Sequence, residues 1–138
     1  MTPGPLIAAV DSVTTHGDVG GKVLVAGSHG GIVSAWFAAR SGARAVILHD
    51  AGVGKDAAGV AGLRWLNDIG MAAAAVSHQS ARIGDGADVL AQGSISHANA
   101  LALSLGVVIG MPCREAAQRL AAAVPPVGEI PDYRAALR

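Results

Sequence analysis

The sequence predicts an α/β fold: a three-layer, mostly parallel five-stranded sheet with helices on both faces, of the flavodoxin-like or a related doubly wound type. Two observations favour this class. Short apolar runs alternate along the chain with stretches of helical spacing, which is typical of a parallel sheet. The runs are apolar throughout, as in strands that are covered on both faces.

The 138 residues are expected to form one domain over residues 1–138. Apolar runs predict strands at residues 5–13, 22–26, 43–48, 71–76 and 107–110. Helical spacing predicts helices at residues 31–40, 60–69, 87–92, 96–105 and 114–124. Residues 125–138 carry little core pattern and are a candidate C-terminal arm onto a neighbouring subunit.

Charge and composition exclude several classes of partner. Ten basic and ten acidic residues give a net charge of zero, and aromatic residues make up only 3% of the chain. No basic run or aromatic platform is present, so we expect no nucleic acid as partner. The single cysteine, Cys113, rules out an intramolecular disulfide and weakly favours a cytoplasmic location.

The apolar content is unusually high. Hydrophobic residues make up 51% of the chain and charged residues 14%, whereas about 25% charged residues is typical. Because so few charges cannot cover a small monomer, we expect a homo-oligomer. No apolar run approaches the roughly 18 residues of a membrane span, so no membrane partner is expected. The N-terminal residues also lack the basic start of a signal peptide.

Polar side chains follow four of the predicted strands directly. Carboxyl ends of parallel strands meet at one edge of a sheet, where ligands bind, so we expect a pocket there. The residues concerned are Asp11, Ser12, Ser28, His29, His49, Asp50, Ser77 and His78.

The turn at residues 27–31 admits two interpretations. Gly27-Ser28-His29 resembles the glycine-flanked turn of a nucleophile elbow, with Ser28 as nucleophile and Asp50 with His78 or His97 completing a triad. Alternatively Ser28 is structural, and the backbone amides of Gly30 and Gly31 hold an anion at the start of a helix. The second interpretation is favoured, because an α/β-hydrolase normally needs a longer chain. The pattern also lacks the spacing of a dinucleotide-binding fingerprint.

The loops after the third and fourth strands supply further candidates. Gly54-Lys55 does not fit the spacing of a P-loop, but Lys55 could bind an anion or act as a base. In the loop at residues 79–86, Ser80 and Arg82 are candidate substrate ligands; Arg82 either clamps a carboxylate or pairs with Asp85.

Two weaker candidates complete the set. A mixed metal site of His29, Asp50, His78 and Asp85 lacks any supporting spacing, so no metal or cofactor is predicted. Cys113 starts a predicted helix, where a thiolate would be stabilised, but a buried, inert thiol is the favoured interpretation.

These patterns predict a small cytoplasmic enzyme acting on a small polar, anionic metabolite by hydrolysis, elimination or isomerisation. His29 or His78 would be the general acid/base, oriented by Asp50 or Asp11. Lys55 and Ser28 are further catalytic candidates. The predicted substrate-binding residues are Asp11, Ser12, Gly30, Gly31, Gly54, Ser80, Arg82 and Asp85. The alternatives are a non-catalytic binding or subunit protein with the same pocket, and a purely structural assembly unit.

Overall fold

A five-stranded, mostly parallel sheet lies at the centre of the structure, with helices on both faces. The computed structural model describes residues 6–134, apart from the side chain of Asp56. The predicted three-layer α/β class is confirmed. The start of the first predicted strand and residues 135–138 of the predicted arm lie outside the described residues.

The strands are β1 (Ile7–Val10), β2 (Val23–His29), β3 (Ala45–His49), β4 (Ala72–Val76) and β5 (Ile95–Ala98). The helices are α1 (Ile32–Arg40), α2 (Ala61–Asp68), α3 (Gly86–Gln92), α4 (Ala100–Ser104) and α5 (Cys113–Leu120).

The strands follow one another in the order β1-β2-β3-β4-β5, with β1–β4 parallel and β5 antiparallel to β4. Right-handed crossovers between successive parallel strands place both α1 and α2 on one face, and these two helices pack together. The flavodoxin-like order has a reversal next to its first strand, which this sheet does not show. The finer expectation of a flavodoxin-like fold is therefore not confirmed.

Alternating residues of the strands supply two apolar layers. On one face Leu24, Val46 and Leu48 pack against α1 and α2. On the other face Val25 and Ile47 pack with buried residues of α3, α4 and α5. The three inner strands, β2, β3 and β4, are thus covered on both faces, which explains their apolar sequences. The edge strand β1, which the sequence predicts as buried, is only partly covered, and Ala9 is exposed.

The fifth strand is not the one that the sequence predicts. Residues 107–110, an apolar run after a glycine, form no strand: residues 107–108 have no regular structure and residues 109–110 belong to a turn. The polar segment Ile95–Ala98, predicted as part of a helix at residues 96–105, is the edge strand β5, and only Ala100–Ser104 is helical. Asn99 separates the two elements, because its side chain caps α4 through the Ala102 amide at 3.0 Å.

The described part of the C-terminal segment packs on its own chain. Ile130 contacts the core beside α1 and α2, and the ring of Tyr133 lies edge-on to Trp36 at 5.1 Å between centroids. Within residues 6–134 no helix has the length and apolar character needed to cross a membrane.

Candidate functional site

The predicted edge of the sheet, here called the rim, gathers residues from all five strands. β1–β4 end there, and β5 begins there because it runs in the opposite direction, so that Ile95 pairs with Val76. Antiparallel pairing thus adds Ser96 and His97 to a rim that the sequence predicts from the parallel strands alone.

Asp50 is the most tightly held polar residue of the rim. It directly follows β3 and is 3% exposed. One carboxylate oxygen, Oδ1, accepts hydrogen bonds from the Gly52 amide at 2.8 Å and the His78 amide at 3.0 Å. The other oxygen, Oδ2, accepts from the Ser96 hydroxyl at 2.8 Å. Buried carboxylates need such donors, because an unpaired buried charge is very costly.

These contacts decide the charge of Asp50. Burial by itself would raise the pKa of the carboxyl group, but the hydrogen bonds from Gly52, Ser96 and His78 outweigh burial and hold the pKa below 3.8. Asp50 is therefore a carboxylate at neutral pH, and it presents a fixed negative charge to the ring of His78.

His78 connects this buried charge to solvent. Its ring nitrogen Nδ1 lies 3.2 Å from Asp50 Oδ1, and its side chain is 52% exposed. The predicted contact between Asp50 and His78 is thus present. His78 lines a cavity of about 660 Å³, here called the His78 cavity. Its other lining residues are His49, Ala51, Gln79, Ser80, Ala81, Arg82, Ile83 and Asp88.

Hydrogen bonds from His49 and Ser80 hold the loop that lines the His78 cavity. The buried His49 accepts a hydrogen bond from the Ala51 amide at Nδ1, so its Nε2 carries the proton and donates to the Ala81 carbonyl at 2.8 Å. Ser80 donates to the Ser77 carbonyl at 2.7 Å. His49 and Ser80 therefore fix the loop that carries Arg82.

Arg82 is exposed and lines the cavity. Among the described residues it forms no ion pair with Asp85, so the predicted alternative of a bracing Arg82–Asp85 pair does not occur. Asp85 instead caps α3, accepting from the Asp88 amide at 3.0 Å. Asp88 in turn accepts from the Arg82 amide at 2.8 Å, so the backbone of Arg82 is anchored beside the cavity.

A β-bulge in β5 brings Ser96 into contact with Asp50. Ala75 pairs with His97 but Val76 pairs with Ile95, so Ser96 is an extra residue in the strand. Side chains of neighbouring strand residues normally point to opposite faces, whereas a bulge re-aims one of them. Ser96 Oγ consequently reaches both Asp50 and His97 Nδ1, the latter at 2.9 Å. The sequence offered no signal for this bulge.

Four of the predicted residues meet in a separate, smaller cavity of about 380 Å³, here called the Ser28 cavity. These are Asp11, Ser12, Ser28 and His29. The exposed Ile83 lines both cavities. Its neighbour Gly84 is tied to β2 by a hydrogen bond to the Gly27 carbonyl at 2.7 Å. The segment at residues 81–84 therefore divides the predicted single pocket into two.

The polar side chains of the Ser28 cavity have structural partners. The Ser28 hydroxyl accepts from the Val13 amide at 3.0 Å, and Asp11 accepts from the Gly86 amide at 3.0 Å. Ser12 contacts Thr14 at 2.8 Å. Ser28 lies in a different cavity from His78, so the elbow interpretation gains no triad from the contact between Asp50 and His78.

The amides of Gly30 and Gly31 are both occupied, which corrects the expectation that they are free to hold an anion. Gly30 donates to the His49 carbonyl at 2.9 Å, and Gly31 donates to His29 Nδ1 at 3.0 Å. The glycines are needed for close packing instead. A Cβ at Gly30 would lie 2.7 Å from the Gly59 carbonyl oxygen.

The loop at residues 51–59 has an unusual backbone. Ala51, Val53 and Ala57 have φ values of +53°, +69° and +58°, a region that costs non-glycine residues of the order of 1–3 kcal/mol each. Gly54 and Lys55 lie in this exposed loop, Lys55 in a short 3-10 turn. Both lie outside the His78 and Ser28 cavities, so the structure does not bring them to the other candidates.

The two weaker candidates, a reactive Cys113 and a metal site, gain no support from the structure. Cys113 is fully buried, and burial raises the pKa of its thiol to about 12, which makes it a poor nucleophile. Within the part of the chain that the structure describes, no three His, Cys, Asp or Glu side chains are grouped to hold a metal ion.

The chain matches no known protein family, no curated protein and no solved structure.

Proposed function

We propose that the protein is a small enzyme that acts on a small polar, anionic metabolite by acid/base chemistry in the His78 cavity. The observation that supports this proposal is the pairing of the buried Asp50 carboxylate with the exposed ring of His78. A histidine held by a carboxylate at the edge of a cavity is the arrangement that general acid/base catalysis requires.

The pairing assigns different roles to the two ring nitrogens of His78 and to the Asp50 carboxylate. His78 Nδ1–H donates to Asp50, which fixes the ring and leaves Nε2 as the nitrogen that takes a proton from the substrate or from water. The negative charge of Asp50 stabilises the imidazolium that forms. Ser96 donates to the far oxygen of the same carboxylate, so Ser96 is a positioning residue rather than a catalytic one.

Arg82 supports the choice of an anionic substrate. Arg82 lines the same cavity as His78, and arginine binds carboxylate and phosphate groups through two parallel hydrogen bonds. The cavity of about 660 Å³ is large enough for a small metabolite. Hydrolysis, elimination and isomerisation of an anionic compound can each use a positioned base with an anion-binding group beside it.

The test is turnover by matched histidine variants. The protein is incubated with panels of small carboxylates, amides and phosphate esters in deuterated buffer, and proton NMR detects hydrolysis, elimination, isomerisation and deuterium exchange together. We expect His78→Gln to lower turnover by about 100-fold or more and His16→Gln, in an exposed loop, to leave it unchanged. Equal turnover by the two variants would refute the proposal.

A non-catalytic binding protein that uses the same cavity is the alternative. Binding is measured on the same panels by thermal shift. Both hypotheses predict that Arg82→Gln weakens binding of the anion, whereas Arg114→Gln on α5 does not. Only the enzyme hypothesis predicts a compound that is consumed. Saturable binding in the His78 cavity without any reaction would support the binding protein.

We further propose that the protein is a cytoplasmic homo-oligomer. The low charge content supports self-association, as do exposed apolar side chains such as Val108, which is 58% exposed. The cytoplasmic location rests on the single, buried cysteine. Light scattering coupled to size exclusion tests the oligomer: a mass of one chain at all concentrations would contradict it.

A further inference from the structure

A third cavity, distinct from the His78 and Ser28 cavities, lies between α2 and β5. Its volume is about 510 Å³, within the range of small-molecule sites. We call it the α2–β5 cavity. The lining residues used below are Leu63, Arg64, His97, Asn99, Leu103 and Ile109. None of the activities proposed above uses this cavity.

The floor of the α2–β5 cavity is rigid. The buried Asn99 uses all of its side-chain polar atoms: Nδ2 donates to the carbonyls of Leu63 and Met71 at 3.0 and 2.9 Å, and Oδ1 accepts from the amides of Ala73 and Ala102. This single side chain therefore joins α2, β4 and α4. A cavity with such a floor is formed before a ligand arrives, which reduces the entropy lost on binding.

The walls are apolar on one side and basic on the other. Leu103 and Ile109 are 50% and 54% exposed. Large apolar side chains that are exposed next to one another often mark a binding surface.

Arg64 is exposed. Because Ser96 gives its only proton to Asp50, His97 Nδ1–H donates to Ser96 Oγ, and Nε2 can donate to an anion only when the imidazole carries both protons. Among the described residues that line the cavity, none is Asp or Glu.

We propose that the α2–β5 cavity binds a small organic anion with an apolar body, such as an aliphatic carboxylate. The carboxylate pairs with Arg64 and, when its imidazole is protonated, with His97, and the aliphatic chain covers Leu103 and Ile109. Charge complementarity favours an anion over a cation, because Arg64 carries a permanent positive charge and none of the described lining residues is acidic. An amphipathic anion is favoured over an inorganic one, because its apolar body removes the exposed Leu103 and Ile109 side chains from water.

The proposal is tested with hexanoate as the probe, followed by amide NMR shifts of the full chain. We expect saturable shifts at Arg64, His97 and Leu103. Acetate, which lacks the apolar body, and 1-hexanol, which lacks the charge, bind about tenfold or more weakly. Equal binding of hexanoate and either control compound, or shifts confined to the His78 cavity with none at Arg64, His97 and Leu103, would overturn the proposal.

Hexanoate binding by variants distinguishes the α2–β5 cavity from the His78 cavity and from nonspecific binding to surface arginines. Arg64→Gln weakens hexanoate binding by about tenfold, whereas Arg114→Gln leaves it unchanged. Leu103→Glu abolishes binding and, because Leu103 is half exposed, preserves folding. His78→Gln leaves hexanoate binding intact, so failure of the proposed rim chemistry would not remove this site. If Leu103→Glu changes the mass of the particle and not hexanoate binding, the surface is a self-association contact and the proposal is wrong.

Discussion

Replacing Asp50 by asparagine tests whether a buried, ionised carboxylate organises the rim. Asp50 is 3% exposed and accepts four hydrogen bonds, from Gly52, from the backbone and ring of His78, and from Ser96. Asparagine keeps the shape but loses the charge and one acceptor. Hydrogen bonds to a buried charge contribute roughly 1.5–3 kcal/mol each, so we expect the free energy of unfolding to fall by about 2–3 kcal/mol at about pH 7. That is a large share of the roughly 5–15 kcal/mol of a typical domain.

The pH dependence identifies the charge as the cause. The pKa of Asp50 is lowered in the folded protein from its ordinary 3.8, so the carboxylate contributes its full stability above that value. The contribution is lost as the pH falls through the lower folded pKa. The difference between wild type and Asp50→Asn should therefore be constant near neutral pH and shrink below about pH 4.

The assay is urea unfolding followed by the fluorescence of Trp36 and Trp65 at several pH values. Asp68→Asn, the same change at an exposed position on α2, is the matched control and should follow wild type within about 0.5 kcal/mol. A difference for Asp50→Asn that does not shrink in acid would refute an ionised Asp50. A difference no larger than that of the control would refute its organising role.

Three further predictions concern the packing around the site. Ser96→Ala removes the donor to Asp50 Oδ2 and should lower the free energy of unfolding by about 1–2 kcal/mol; an unchanged urea midpoint would contradict the hydrogen bond. Gly62→Ala would place a Cβ 2.5 Å from the Gly31 carbonyl oxygen, so overpacking of about 1–3 kcal/mol should outweigh the gain of about 1 kcal/mol in helix propensity; a melting temperature above wild type would contradict the close contact of α1 and α2. Cys113, with a thiol pKa raised to about 12 by burial, should resist iodoacetamide until the protein unfolds; labelling of the folded protein at the rate of a free thiol would contradict its burial.

The four parallel strands could be predicted because each is a short apolar run bounded by polar or glycine-containing segments, although only β2, β3 and β4 are buried and β1 is partly exposed. Ala72–Val76 is mainly alanine, a residue without strand preference, yet its place between a glycine stop and a polar loop was sufficient. β5 could not be found in the same way. It is a short, half-polar edge strand whose residues continue into α4 with helical spacing, and only its pairing with β4 distinguishes it.

The candidate site shows a similar limit. The contact of Asp50 with His78 follows from the adjacent carboxyl ends of β3 and β4, and it is one of the pairings between His29 or His78 and Asp50 or Asp11 that the sequence left open. The division of the rim into two cavities depends on residues 81–84 crossing it, and the contact of Ser96 depends on a bulge. The same glycine turn fits either an anion site or a close approach of two helices. Only the positions of Gly59 and Gly62 show that Gly30 and Gly31 serve the packing.

Catalysis by His78 is tested by the reaction of the intact protein with small anionic compounds in deuterated buffer, compared between His78→Gln and His16→Gln. We expect at least one compound to be converted by wild type and by His16→Gln, and conversion to fall by about 100-fold or more in His78→Gln although the variant remains folded. Conversion that survives the loss of the His78 ring would contradict the central claim.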